Sequence, residues 1–166
     1  MDIRRALKNQ HHAALTMFLQ AVEACPASVW TSGEHPRTYW RIAYHALAYA
    51  HLYLYENLDS WQKWELHQLD KTYLEGDDVP VTEPYSQEEM AGFVRLIDSE
   101  VDARIDALDL DDPHCGFTWY PNVSRVELLI LSLRHLHGHL GQLHELLLAH
   151  GVDVEWLGQA KEPATA

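Results

Sequence analysis

The chain has 166 residues, 47% of them hydrophobic, enough apolar material for one buried core. Twelve Lys and Arg stand against 25 Asp and Glu, a formal charge of −13, so nucleic acid and anionic membrane surfaces meet a repelling field. No apolar run approaches the roughly 18 residues of a membrane span. The N-terminus MDIRRALKNQHHAAL lacks the shape of a signal peptide, and Cys25 and Cys115 form no CxxC pair. A single domain over residues 1–166 in a reducing cytoplasm is the expectation.

The spacing predicts a first helix from Asp2 to Cys25, with Pro26 just beyond it. Ala6, Ala13, Leu15, Phe18, Leu19 and Val22 recur there at intervals of three, four and seven. After the turn-rich TSGEHPR, Pro36 suits the first turn of a second helix. That helix, TYWRIAYHALAYAHLYLYENL, is apolar nearly all round, as a buried or interface element would be. The mixed stretch that follows predicts a short helix near Trp61 to Leu69, then irregular chain to Pro84.

Ser86 and Glu89 form a capping box for a third helix over Ser86 to Leu108. DLDDPHCGFTWYPN reads as a long loop. Ser124 and Glu127 then cap a fourth helix that runs to His150, with Gly151 as its terminator. Four long helices with few strand signals predict an all-α four-helix bundle with a long connection between helices 2 and 3.

The fourth helix carries RHLHGHLGQLHELLLAHG, with five histidines. At about 100° per residue, His139 falls about 40° from His135, while His137 and His144 fall about 200° and 180° away. Leu128, Leu136, Leu140, Leu143 and Leu147 occupy the same half of the wheel as His135 and His139; Glu127, Arg134 and Glu145 lie opposite. Two imidazoles one turn apart on the inward side can converge on one metal ion. His137 and His144 are about 10.5 Å apart in rise and cannot. The bland alternative is a pair of hydrogen-bonded core histidines.

A third ligand would come from IAYHALAYAHLYLYE in the second helix. His45 and His51 point about 120° apart, so at most one joins such a site. His45, mid-helix beside Ile42, Ala46 and Tyr49, is the inward candidate; His51 is expected to meet solvent or an interface.

The stretches YWRIAYHALAYAHLYL and ELLILSLRHLHGHLGQL, in this order, resemble the DinB-like (DinB/YfiT) superfamily of metal-dependent enzymes. Its H-x-x-x-H-[R]-G-Q pattern is matched by His135, His139, Gly141 and Gln142, with Leu140 where an arginine is common. The resemblance covers most of the helix plan, though the specific motif spans only some ten residues. It implies a DinB/YfiT-type bundle with a three-histidine site at one end. The implied ligands are His45, His135 and His139, holding a divalent transition metal, and the bundle is often a homodimer.

Three neutral imidazoles suit zinc or nickel and leave a coordination position open. An open position serves a small-molecule substrate through either a metal-activated thiol, in thiol transfer, or a metal-activated water, in hydrolysis. Transfer asks less of the protein, because no HExxH base is present and Glu56 lies too far along its helix. Gln142 and Tyr49 are candidates to orient a ligand, and Trp119 and Tyr120 to line a substrate pocket. Trp30, Trp40, Trp61 and Trp64 read as core or interface. Cys115 beside His114 reads as an oxidisable surface thiol, not a catalytic pair. Two further readings stand against the metal enzyme. One is a non-catalytic dimeric helical bundle in binding or stress response; the other is a pH-responsive surface built on His137, His144 and His150.

Overall fold

The computed structural model describes residues 2–160. Asp2 accepts from the Arg5 N–H and so caps α1, Ile3–Ala24. Leu7, Ala14, Leu15, Phe18, Ala21 and Val22 form its buried stripe, and the chain turns out at Pro26. A single turn, α2 (Ala27–Trp30), follows; nothing in the periodicity predicts an element so short. Then come α3 (Tyr39–Leu52), α4 (Gln87–Ala107) and α5 (Arg125–Leu148). Both predicted capping boxes are formed: Ser86 pairs with Glu89 and Ser124 with Glu127. Beyond α5, the Gly151 N–H reaches the Leu148 carbonyl and the Val152 N–H reaches Leu147, with Gly151 at φ 76°. Those paired bonds make Gly151 the left-handed terminator that its position predicts.

Among the described residues there are five helices, one 3-10 turn at Leu69–Thr72 and no strand. α1 packs on α4 and α5, and α3 packs on α5 and α4, so the four long helices surround a shared core. Phe18, Leu47, Phe93 and Leu140 contribute to it from all four, and Trp64 stacks on Phe93 at 4.4 Å. Truncating such a core aromatic to Ala costs about 3–5 kcal/mol. No helix among the described residues is long and apolar enough to cross a membrane.

Three local expectations are corrected. Pro36 lies ahead of α3 and outside its first turn, which opens at Tyr39 behind Thr38. α3 stops at Leu52 instead of continuing to Leu58. There the Leu54 and Tyr55 N–H groups bond only three residues back, and the buried Arg125 guanidinium takes the Tyr55 and Glu56 carbonyls at 3.2 and 3.0 Å. Those carbonyls are therefore satisfied without a further helical turn.

The short helix expected at Trp61 to Leu69 is absent; the stretch holds one isolated turn, in which the His67 N–H bonds the Trp64 carbonyl at 2.8 Å, before the 3-10 turn that begins at Leu69. Side chains satisfy other backbone groups of the connection. The Gln68 N–H donates to the Tyr44 hydroxyl at 3.3 Å, and the Tyr85 hydroxyl donates to the Leu66 carbonyl at 2.5 Å. Arg41, 1% exposed, donates to the Asp70 and Pro80 carbonyls and to Thr82 Oγ1. These bonds lay the long connection between α3 and α4 against α3, and that placement brings the Thr72 carbonyl to the site.

Candidate metal centre

The regular winding of α5 sets His135 and His139 one turn apart, with ring centroids 4.6 Å from each other. α3, packed alongside, delivers His45 between them, at 5.0 Å from His135 and 4.8 Å from His139. One nitrogen from each of the three rings lies within 4.8 Å of the other two. This is the one group of His, Cys, Asp or Glu residues with metal-holding geometry among the described residues. His45 Nε2 and His135 Nε2 stand 3.0 Å apart, close to the separation of about 3.4 Å between two ligands of one tetrahedral ion. The sequence-predicted residues are thus brought together, and the cluster is able to hold a metal ion.

The outer nitrogens explain how the rings are aimed. The Nδ1–H of His45 donates to the Thr72 carbonyl at 2.6 Å, and that of His139 donates to Gln142 Oε1 at 2.9 Å. Each bond fixes the tautomer that leaves Nε2 with a lone pair directed away from the partner. His135 lacks such a bond: its Nδ1 is buried with no partner. Gln142 therefore holds the orienting position expected of it, although on His139. Tyr49 packs its ring 4.9 Å from His45 and 5.6 Å from His135.

Burial lowers the basicity of all three rings. Desolvation pulls His45 and His135 down to about 4, with the neighbouring imidazoles adding a smaller push in the same direction. His139 is lowered chiefly by burial, against the Gln142 bond, with a contribution from the positive charge of Arg37. At neutral pH the cluster is three uncharged imidazoles, the protonation state that a metal requires. Half-buried neutral donors, two of them oriented from outside, fit a divalent transition ion.

A cavity of about 500 Å³ opens beside the cluster, lined by His45, His135, Tyr49, Trp119 and Tyr120 among others. Trp119 and Tyr120 thus occupy the pocket wall predicted for them. No protein-family model, curated protein or solved structure matches this chain.

The other singled-out residues divide. His137 and His150 are exposed, away from the cluster, and His144 is half-buried on the same side. Glu56 is exposed. His51 does not meet solvent: it is 1% exposed, accepts from Trp61 Nε1 at 3.2 Å, and sits 3.5 Å from Glu100. The reason is the crossing of α4, which covers that side of α3 with Phe93 and Glu100. Cys115 is likewise no surface thiol. It is 1% exposed, with Sγ against the Tyr120 carbonyl at 3.4 Å, because its loop folds inward over Tyr53 and Phe117.

Two residues of this site lie outside the sequence expectations. The Thr72 carbonyl carries no side-chain signature at all. His67 lines the same cavity, with Nδ1 2.7 Å from the Tyr44 hydroxyl. It sits in an aperiodic stretch, and a lone histidine there gives no spacing to read.

Proposed function

We propose that the chain is a metal-dependent enzyme of the DinB-like class, with His45, His135 and His139 holding a divalent transition ion. Zinc or nickel suits the all-nitrogen donor set. The carrying observation is the convergence of three uncharged imidazoles from α3 and α5, two with their outer N–H fixed, at the edge of a ligand-sized cavity. When bound, such an ion lowers the pKa of a thiol or water placed on its open position.

The chain's own residues then supply orientation and exclusion of water. Thr72 and Gln142 hold the imidazole planes, and Tyr49 packs over two of them. The aromatic wall removes solvent from the reacting end. Thiol transfer to a small molecule is the reaction we favour, because the thiol brings its own nucleophile. Hydrolysis is the second reading. His67 favours it, as a further imidazole on the same cavity that could hydrogen-bond a polarised carbonyl. A cytoplasmic homodimer completes the proposal.

The test is elemental analysis of tag-free protein, wild type beside His139→Ala. One equivalent of transition metal per chain in wild type, lost in the variant, is the expected result. Equal metal in both would dismiss the site.

A further inference from the structure

The cavity beside the cluster has an unusual lining for a chain of this charge. Leu52, Leu58, Trp61, Leu69, Trp119 and Leu131 form its walls, and not one lining residue is Lys, Arg, Asp or Glu. Leu58, Leu69 and Trp119 remain 50%, 60% and 45% exposed, so large apolar side chains extend into the mouth. In the metal-free protein a carboxylate, phosphate or ammonium entering here would lose water and meet no charged side chain on the walls. The walls select a neutral ligand with a flat or apolar body.

Several polar groups on the lining are already engaged. The Thr72 carbonyl accepts from His45, and Thr72 Oγ1 donates to the Leu69 carbonyl at 2.7 Å. The Tyr53 hydroxyl accepts from Trp119 Nε1 at 3.4 Å. His67 differs. Its Nδ1 is held 2.7 Å from the hydroxyl of Tyr44, which itself accepts the Gln68 N–H. Where Tyr44 donates in that short bond, His67 carries its own proton on Nε2, and no residue among those described bonds that nitrogen. The ring is steadied edge-on by Trp61, at 4.8 Å between centroids.

We infer that this cavity binds a neutral aromatic molecule bearing a hydrogen-bond acceptor, with the acceptor on His67 Nε2–H and the apolar body between Trp61, Trp119 and Leu131. The inference rests on the metal-site reading for one point alone, that this ligand is the substrate of that site. Binding itself depends on the cavity and is measurable without metal. His67 is then the specificity-determining residue, and Tyr44 positions it.

The experiment uses full-length protein stripped with chelator, and three probes of one shape: 1-naphthamide, 1-naphthoate and 1-naphthylmethylammonium. Affinities come from ligand-observed NMR titration. Naphthamide is expected to bind at least about tenfold more tightly than either ion. His67→Ala is expected to weaken naphthamide about five- to tenfold, and His67→Gln, which keeps an N–H donor, to recover most of it. The wild-type comparison needs no variant to fold. Naphthoate binding as well as naphthamide, or no selectivity among the three, overturns the inference. So does a folded His67→Ala that holds naphthamide unchanged. Selective naphthamide binding by a protein that takes up no metal would sink the metal site and leave this cavity standing. Stoichiometric metal with no naphthamide binding would do the reverse.

Discussion

The α1–α4 face and the α3–α5 face both bury histidines, and burial pulls His11 on one and His45 on the other to the same low basicity, about 4. Their surroundings differ. His11 bonds the Leu7 carbonyl of its own helix at 2.8 Å and leaves Nε2 buried without a partner. Next to it, His12 bridges Asp98 and Asp102 of α4 at 2.7 and 3.2 Å. Among the described residues no metal-holding group forms around either. On α3 and α5, three rings turn the same class of nitrogen toward one point. Depressed basicity therefore marks burial, and convergence marks a site.

The largest expected effect separates the two faces outright. His45→Ala should weaken transition-metal affinity by more than about 100-fold, beyond the 10- to 100-fold typical of losing an outer partner. His11→Leu should leave that affinity within about twofold, as distant sites act independently. Competition titration with a chelating dye reads both, and a metal loss in His11→Leu would break the contrast.

Next in size is the acid response of α1. The folded pKa of His11 lies below its ordinary 6.5, so the unfolded chain takes up the proton first as pH falls. Stability that is complete above 6.5 is lost as pH descends towards 4. The His11 contribution to that loss is about 3 kcal/mol. In chelator-treated protein, denaturant melts between pH 7 and 4.5 should show His11→Leu losing less stability than wild type. Parallel pH curves would remove this role.

A smaller effect sharpens the aim of the donors. Gln142→Leu frees the His139 ring and should cost about 10- to 100-fold in metal affinity without altering the melting temperature of the metal-free protein. The smallest effect is on the half-exposed pair. Asp98 and Asp102 raise the pKa of His12, so its stabilisation is present below 6.5 and fades as pH rises through the raised value. Asp98→Asn should cost less than about 1 kcal/mol, and only on the acid side. A loss that persists at pH 9 would point to packing instead.

The helices and their caps were legible because periodicity and capping are local properties. The His135–His139 pair was legible for the same reason: one helical turn on the leucine side is a sequence statement. His45 could be chosen over His51 by its neighbours, yet the expected exposure of His51 was wrong, since it depends on where α4 crosses. Leu140, beside His139, is buried in the core. What could not be read was the connection from Tyr53 to Tyr85. Its Gln68 N–H goes to Tyr44, its carbonyls go to Tyr85, Arg41, Arg125 and His45, and none of these pairings leaves a period. The Thr72 carbonyl and His67 both ride on that path.

Arg125 and Gly116 act together at the end of α3. The guanidinium clasps the Tyr55 and Glu56 carbonyls, and a Cβ on Gly116 would stand 1.9 Å from the Glu56 oxygen. Gly116, at φ 84°, is thus a place where only hydrogen fits. The loop bearing Phe117 and Trp119 is riveted to α3 at one seam, and α5 starts from the same rivet. Selection for a new ligand would find that side of the pocket rigid. Adaptation has easier material in the single side chain of Leu131 than in any redrawing of the Trp119 loop.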